Sequence, residues 1–247
     1  MWPTVADDLS DDDLDRLYAW PQTSWVRSNM IESADGAAQS PGGGTRTLSS
    51  DADRRIMGTI RSLADAIVVG AGSARIEGYS ALRPRPRYVE QRAAADQSPT
   101  PALVLVSHSL DFDLSGRLFQ DALTRTIVIT TDSSPAAKRA VTESVADVIV
   151  CGDDEVDLAL MIDVLQKRGL TRIVAEGGPT LLGSLLEANL INDMAITIAP
   201  VLVGDYVDHS PTRIIAGAKF PAPVALQLAH LLEQDGALFA RYEVTST

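Results

Sequence analysis

A chain of 247 residues is long enough to bury a sizeable core, as one large domain or two small ones. Its 45% hydrophobic and 22% charged residues suit a soluble globular protein, and a net charge of −12 argues against a nucleic-acid or anionic-membrane surface, which needs a clustered positive field. One cysteine, Cys151, rules out an internal disulfide and a cysteine zinc cluster; apolar runs too short for a bilayer and an acidic N-terminus point to a cytoplasmic protein.

Residues 1–23 read as an acidic extension with a short helix. Asp7, Asp8, Asp11, Asp12, Asp13 and Asp15 cluster at its start, Ser10 and Asp13 have the spacing of a capping box, and Leu14, Leu17 and Tyr18 form an apolar stripe. Carboxylates favour a helix start, so the run is expected to be solvated helix rather than a metal site. Residues 24–247 read as a single domain. Trp25 to Ile31 is the first expected strand, followed by a tight turn at Asp35-Gly36. Ser50 then opens a helix with Asp53 at the capping-box position and Ile56, Ile60 and Leu63 on the buried face; Ser49 sits at its mouth.

Ala66 to Val69 is continuously apolar, as in a strand covered on both faces, and runs into the glycine corner Gly70-Ala71-Gly72-Ser73. From Tyr79 to Pro101 the chain is rich in Pro, Arg and Ala, with Arg83, Arg85, Arg87 and Arg92 close together: a solvated loop, or a flap whose guanidinium groups meet an anionic substrate. Strands at Leu103–Val106 and Thr126–Ile129 end in the small polar groups Ser107, His108, Thr130 and Thr131, and Val148–Val150 follows. Ile173 and Val174 lead into a second corner, Glu176-Gly177-Gly178-Pro179-Thr180-Leu181, where Pro179 fits the first position of a helix. Backbone N–H groups at such a helix start favour an anion, and glycines let a pyrophosphate approach the main chain. Neither corner has the full Gly-x-Gly-x-x-Gly spacing, so a standard Rossmann domain is not supported. Strands and helices alternate from 66 to 190, then the pattern changes to Met194–Ala199 and a hairpin about Gln234-Asp235-Gly236. The fold class expected is α/β, a mixed and mostly parallel sheet flanked by helices with a C-terminal antiparallel hairpin.

Ser33-Ala34-Asp35-Gly36, the run from Arg61 through Asp65 to Ser73, Glu176-Gly177-Gly178-Pro179 and Ile198 to Gly204, in this order, resemble the reductase domain of the riboflavin-biosynthesis deaminase/reductase family, which has the dihydrofolate-reductase fold. His108, His209 and His230 lack the neighbours of the family's zinc-binding deaminase half, so the resemblance is to a stand-alone reductase. It implies NADPH across the strand ends. Gly70, Ala71, Gly72, Ser73 and Glu176 to Leu181 then hold the diphosphate, and Ser107, His108, Thr130 and Thr131 lie where an adenosine 2′-phosphate rests. Asp35 is the candidate catalytic proton donor, its pKa expected to be raised by desolvation beside the pocket. Asn29, Ser49 and Arg83 are candidate substrate contacts; Asn29 stands where related reductases carry lysine. No metal is expected.

Three readings stay open at this point. The first is reduction of a phosphorylated pyrimidine ribosylamine of riboflavin synthesis, with hydride going to a C=N carbon. The second keeps the cofactor and takes a dihydropteridine such as dihydrofolate. The third is a non-catalytic NADPH sensor or scaffold. The resemblance further implies a homodimer, with apolar Ile196–Val203 as a strand able to pair across a two-fold.

Overall fold

The computed structural model describes residues 8–21, 24–205 and 212–245, so the expectations for Asp7 and His209 lie outside the described residues. Nine strands form one sheet: β1 Trp25–Ser33, β2 Ala66–Gly70, β3 Ala102–Val106, β4 Ile127–Thr130, β5 Asp147–Val150, β6 Arg172–Ala175, β7 Asp193–Ala199, β8 Ala225–Gln234 and β9 Ala237–Thr245. The helices are α1 Asp11–Leu17, α2 Asp51–Leu63, α3 Ala71–Ile76, α4 Val89–Ala94, α5 Arg117–Gln120, α6 Ala136–Thr142, α7 Leu158–Lys167 and α8 Pro179–Glu187. None of them is long and apolar enough to cross a membrane.

The strand order is β5-β4-β3-β2-β6-β1-β7-β9-β8, parallel up to β7 and antiparallel for the last two pairs. Strands β2 and β3 carry no polar side chain because both of their faces are covered. In β2, Ile67 and Val69 pack with α1 and α2 side chains such as Leu14, Ile56 and Ile60, whereas Ala66 and Val68 pack with Met161 and Leu165 of α7 and Leu182 and Leu185 of α8. Strand β6 inserts between β2 and β1, so the two glycine corners, which follow β2 and β6, leave adjacent parallel strands. Gly70 N donates to Gly177 O across 2.8 Å. That crevice at the carboxyl ends of the strands is where open α/β sheets bind ligands.

Local chemistry sets the ends. The Ser10–Asp13 capping box of α1 is complete. At α2 only half of the expected box forms: Ser50 accepts from Asp53 N, but the Asp53 carboxylate turns away from the cap toward Ser49 and Thr197. The β8–β9 turn places Asp235 at φ 54° and Gly236 at φ 81°, the pair of positive angles that a two-residue hairpin with matching twist requires. The expectation for Ile196–Val203 fails in its first half: residues 196–199 belong to β7, which is flanked by β1 and β9, so that backbone cannot pair across a two-fold, while Pro200–Val203 lie beyond the strand. The sheet edge on that side is β8.

Candidate active site

A cavity of about 470 Å³ opens beside the crevice, between β1, the mouth of α2 and the segment after α3. Asn29, Ser49, Arg83 and Glu176, four of the residues singled out from sequence, share its wall with Asp53, Arg61 and Tyr79. Asn29 belongs to β1, whose carboxyl end faces the crevice. Its amide can donate and accept at one edge of a ring. Arg46, Arg54 and Arg83 also line the cavity, giving it a cationic side in an acidic protein. Arg54 pairs with Asp51 at 2.6 Å and Arg83 with Asp121 at 3.1 Å; Arg46 makes no ion pair among the described residues.

Two polar groups build the floor. Arg61 of α2 grips Glu176 with both fork nitrogens, at 2.7 and 2.6 Å, and Tyr79 Oη donates to the same carboxylate at 2.7 Å. Burial alone would depress the Arg61 guanidinium, but the Glu176 charge and hydrogen bond outweigh it and the net shift is upward. Burial first, then the Glu176 charge, push the Tyr79 phenol up, so it stays a donor. The second group is Asp53, which accepts from Ser49 Oγ at 2.6 Å and from Thr197 Oγ1 at 2.8 Å. With its proton engaged by Asp53, Ser49 presents lone pairs to the cavity.

The corners suit an anion. At Gly178 a Cβ would stand 2.3 Å from Ser73 Oγ, so a side chain there would push the Ser73 hydroxyl out of the corner. Helix α8 starts there with Pro179 at its first turn and no side-chain cap, so the N–H groups of Thr180 and Leu181 are left for a ligand. This donor set fits a diphosphate. Further along the crevice, His108 Nδ1 lies 2.8 Å from Thr131 Oγ1, tying the ends of β3 and β4. The side chains of Ser107, Thr130 and Thr131 are buried rather than open, and Ser107 Oγ is occupied by Leu110 N. Of this group His108 alone is exposed.

Asp35 needs correction. It is exposed, lies outside the cavity wall, and its pKa is lowered to about 2 rather than raised. The Ser33 hydroxyl, then the backbone N–H groups of Gly204 and Val203, hold the carboxylate in its charged form. It pins the corner after β7 and carries no proton near neutrality. In the arginine segment Arg83, Arg85 and Arg87 are exposed as the solvated reading expects, and Arg92 alone departs from it. Arg92 is 4% exposed and donates to the carbonyls of Ser62, Ala64 and Ser98, closing the C-terminal end of α2.

Sequence reasoning gave no role to Asp53, Arg61, Glu77 or Tyr79. Asp53 resembled a cap residue, and Arg61 lay inside a recognised stretch without a partner to suggest its use. Glu77, which accepts from Thr45 N at 3.2 Å and Thr45 Oγ1 at 3.1 Å, shows no local signal.

With this geometry in place, the comparisons fall into one family. The profile of the RibD C-terminal domain matches residues 24–237. A protein of Archaeoglobus fulgidus named 2,5-diamino-6-ribosylamino-4(3H)-pyrimidinone 5′-phosphate reductase is 28% identical over 218 residues, spanning 88% of this chain and 98% of its own. The riboflavin biosynthesis protein RibD of Mycobacterium tuberculosis is 27% identical over 184 residues, 74% of this chain and 43% of that longer protein. Among solved structures, a pyrimidine reductase-like protein of Corynebacterium diphtheriae superposes with a TM-score of 0.81 at 27% identity, covering 95% of this chain and 99% of that one. Acinetobacter baumannii RibD shares the fold at a TM-score of 0.70 and 16% identity, over 90% of this chain and 58% of that one. The chain therefore belongs to the RibD C-terminal domain family, and as a member of it is a reductase.

Proposed function

We propose that the protein is an NADPH-dependent reductase of a pyrimidine ribosylamine 5′-phosphate, of the 5-amino-6-ribosylaminouracil phosphate type, in riboflavin biosynthesis. The observation that carries this reading is the cavity itself, with the Asn29 amide on one side and Arg46, Arg54 and Arg83 on its wall. A ring edge needs the first and a phosphate the second. Gly70 to Ser73 and Gly177 to Leu181 would hold the cofactor, which when bound would supply the hydride. In the substrate, opening of the ribosyl C1′–O4′ bond with transfer of the amine proton to O4′ leaves a C=N. Carbon C1′ then accepts the hydride and the nitrogen a proton. Ser49, whose own proton goes to Asp53, faces the cavity as an acceptor that orients the amine N–H, and the proton comes from solvent rather than from Asp35. The Arg61–Glu176–Tyr79 group holds that part of the wall in one arrangement.

The test is cofactor oxidation by the purified full chain. Turnover of the phosphorylated pyrimidine with NADPH, weaker with the dephosphorylated compound, supports the reading; faster turnover of dihydrofolate would overturn it. We further infer a homodimer formed through the face of β8 that carries Leu226, Leu228 and Leu231, which are 40, 37 and 40% exposed. Leu228→Asp then yields a monomer by light scattering, and an unchanged mass discards this interface.

A further inference from the structure

The acidic helix α1 and the arginine segment meet in the fold through contacts 72 to 75 residues apart in sequence. Arg87 Nη2 donates to Asp15 Oδ2 at 2.8 Å and also to Asp12. Tyr88 Oη donates to Asp15 Oδ1 at 2.7 Å, and its ring is buried. On the other side α1 is fastened to α2: Arg55 reaches Asp11 at 2.7 Å and Leu9 O at 3.0 Å, while Leu14 and Tyr18 enter the core. Helix α1 is thus a bracket between α2 and the segment that walls the cavity.

The chain between bracket and cavity is short and stiff. It reads Arg83-Pro84-Arg85-Pro86-Arg87, and each proline fixes its own φ and restricts the residue before it. Leu82 and Arg83 line the main cavity, and Leu82, Arg83, Pro84, Arg85 and Tyr88 also wall a smaller one of about 130 Å³ next to it. Arg85 lies across Gly58 of α2, where a Cβ would come within 1.9 Å of its guanidinium carbon. Fixing residues 87 and 88 therefore fixes where Arg83 stands. The matched family profile begins at residue 24, beyond α1, so the bracket lies outside it.

We propose that Asp12 and Asp15 of α1 are positioning residues of the substrate pocket. By holding Arg87 and Tyr88, they set the place of Arg83 through the proline-stiffened link. This rests on the reading above for what Arg83 meets. The positioning itself is independent of the substrate.

The test uses the full chain with Asp12→Asn and Asp15→Asn together, Arg87→Gln alone, and all three combined. Hydrogen exchange in residues 80–92 should rise in every variant while β2 and β6 keep their protection; unchanged exchange there overturns the proposal. Kinetically, KM for the phosphorylated pyrimidine should rise about 3–10-fold, as expected for loss of a small network of partly exposed pairs, with kcat and KM for NADPH held. The combined variant should be no worse than the Asp12→Asn and Asp15→Asn parent, because the Arg87 contact is already lost there. Additive effects, or a fall in kcat at constant KM, would refute it, and restoring a carboxylate with Asp15→Glu in the Asp12→Asn background should recover part of the loss. If no pyrimidine is turned over, the substrate reading fails and the exchange result alone decides the bracket.

Discussion

Two forked arginine–carboxylate groups anchor this sheet, one among strands β1, β7 and β9 and the other joining α2 to the corner after β6, and one is sealed while the other opens on a cavity. In the sealed group Arg27 of β1 meets Asp193 of β7 with two bonds of 2.8 Å, Arg241 of β9 adds a third, and the Arg27 and Asp193 side chains are both 0% exposed. Arg27 also donates to Tyr18 O at 2.7 Å and lies over the Trp20 ring at 4.5 Å, tying the segment after α1 to the sheet. In the open group Arg61 keeps 25% of its side chain exposed while Glu176 keeps 3%. The chemistry is the same. What separates a structural bolt from a site is whether a cavity reaches it.

That contrast predicts where each substitution is felt. The largest effect is on stability: Asp193→Asn leaves the buried Arg27 guanidinium and the part-buried Arg241 uncompensated and should cost about 3–5 kcal/mol in chemical denaturation. Turnover per folded molecule should not change. A wild-type denaturation midpoint would show the sealed group to be dispensable. Next comes Glu176→Gln, which removes a charged partner from Arg61 and Tyr79; a loss of about 10–100-fold in kcat/KM matches hydrogen bonds to a charged group. Equal activity would break the distinction drawn here.

A pH profile sharpens it further. His230 packs edge-on against Tyr18 at 4.9 Å beside the sealed group, and burial first, then Arg241 and Arg27, lower its pKa from 6.5 to about 4. Between those values the unfolded chain takes up a proton that the folded chain refuses, so stability falls as pH drops from 6.5 toward 4 and gains nothing above 6.5. His230→Phe should flatten thermal stability over that window; a persisting slope assigns it to other groups. The smallest effect expected is at Asp35. Its carboxylate stays charged down to about pH 2, so Asp35→Asn should leave the pH dependence of turnover near neutrality unaltered. A lost limb in that profile would return the proton role to it.

The sheet was legible residue by residue where periodicity is strong. Unbroken apolar runs such as Ala66–Val69 announce strands covered on both sides, and Pro179 after two glycines announces a helix start. Strand order was not legible. Nothing in the runs near 66 and 173 says that β6 slips between β2 and β1, yet that insertion brings the two glycine corners within one hydrogen bond. Asp35 shows the same limit in a single residue, because a carboxylate before a glycine looks alike whether it faces a desolvated pocket or the amides of Val203 and Gly204. Local sequence alone determined the elements, the glycine corners and the family pattern, since helix caps, turns and hydrophobic alternation act over a few residues. Only the tertiary structure decided which charges pair, that α1 braces the arginine segment, and which carboxylates face the cavity, because those outcomes depend on groups brought together from distant parts of the chain.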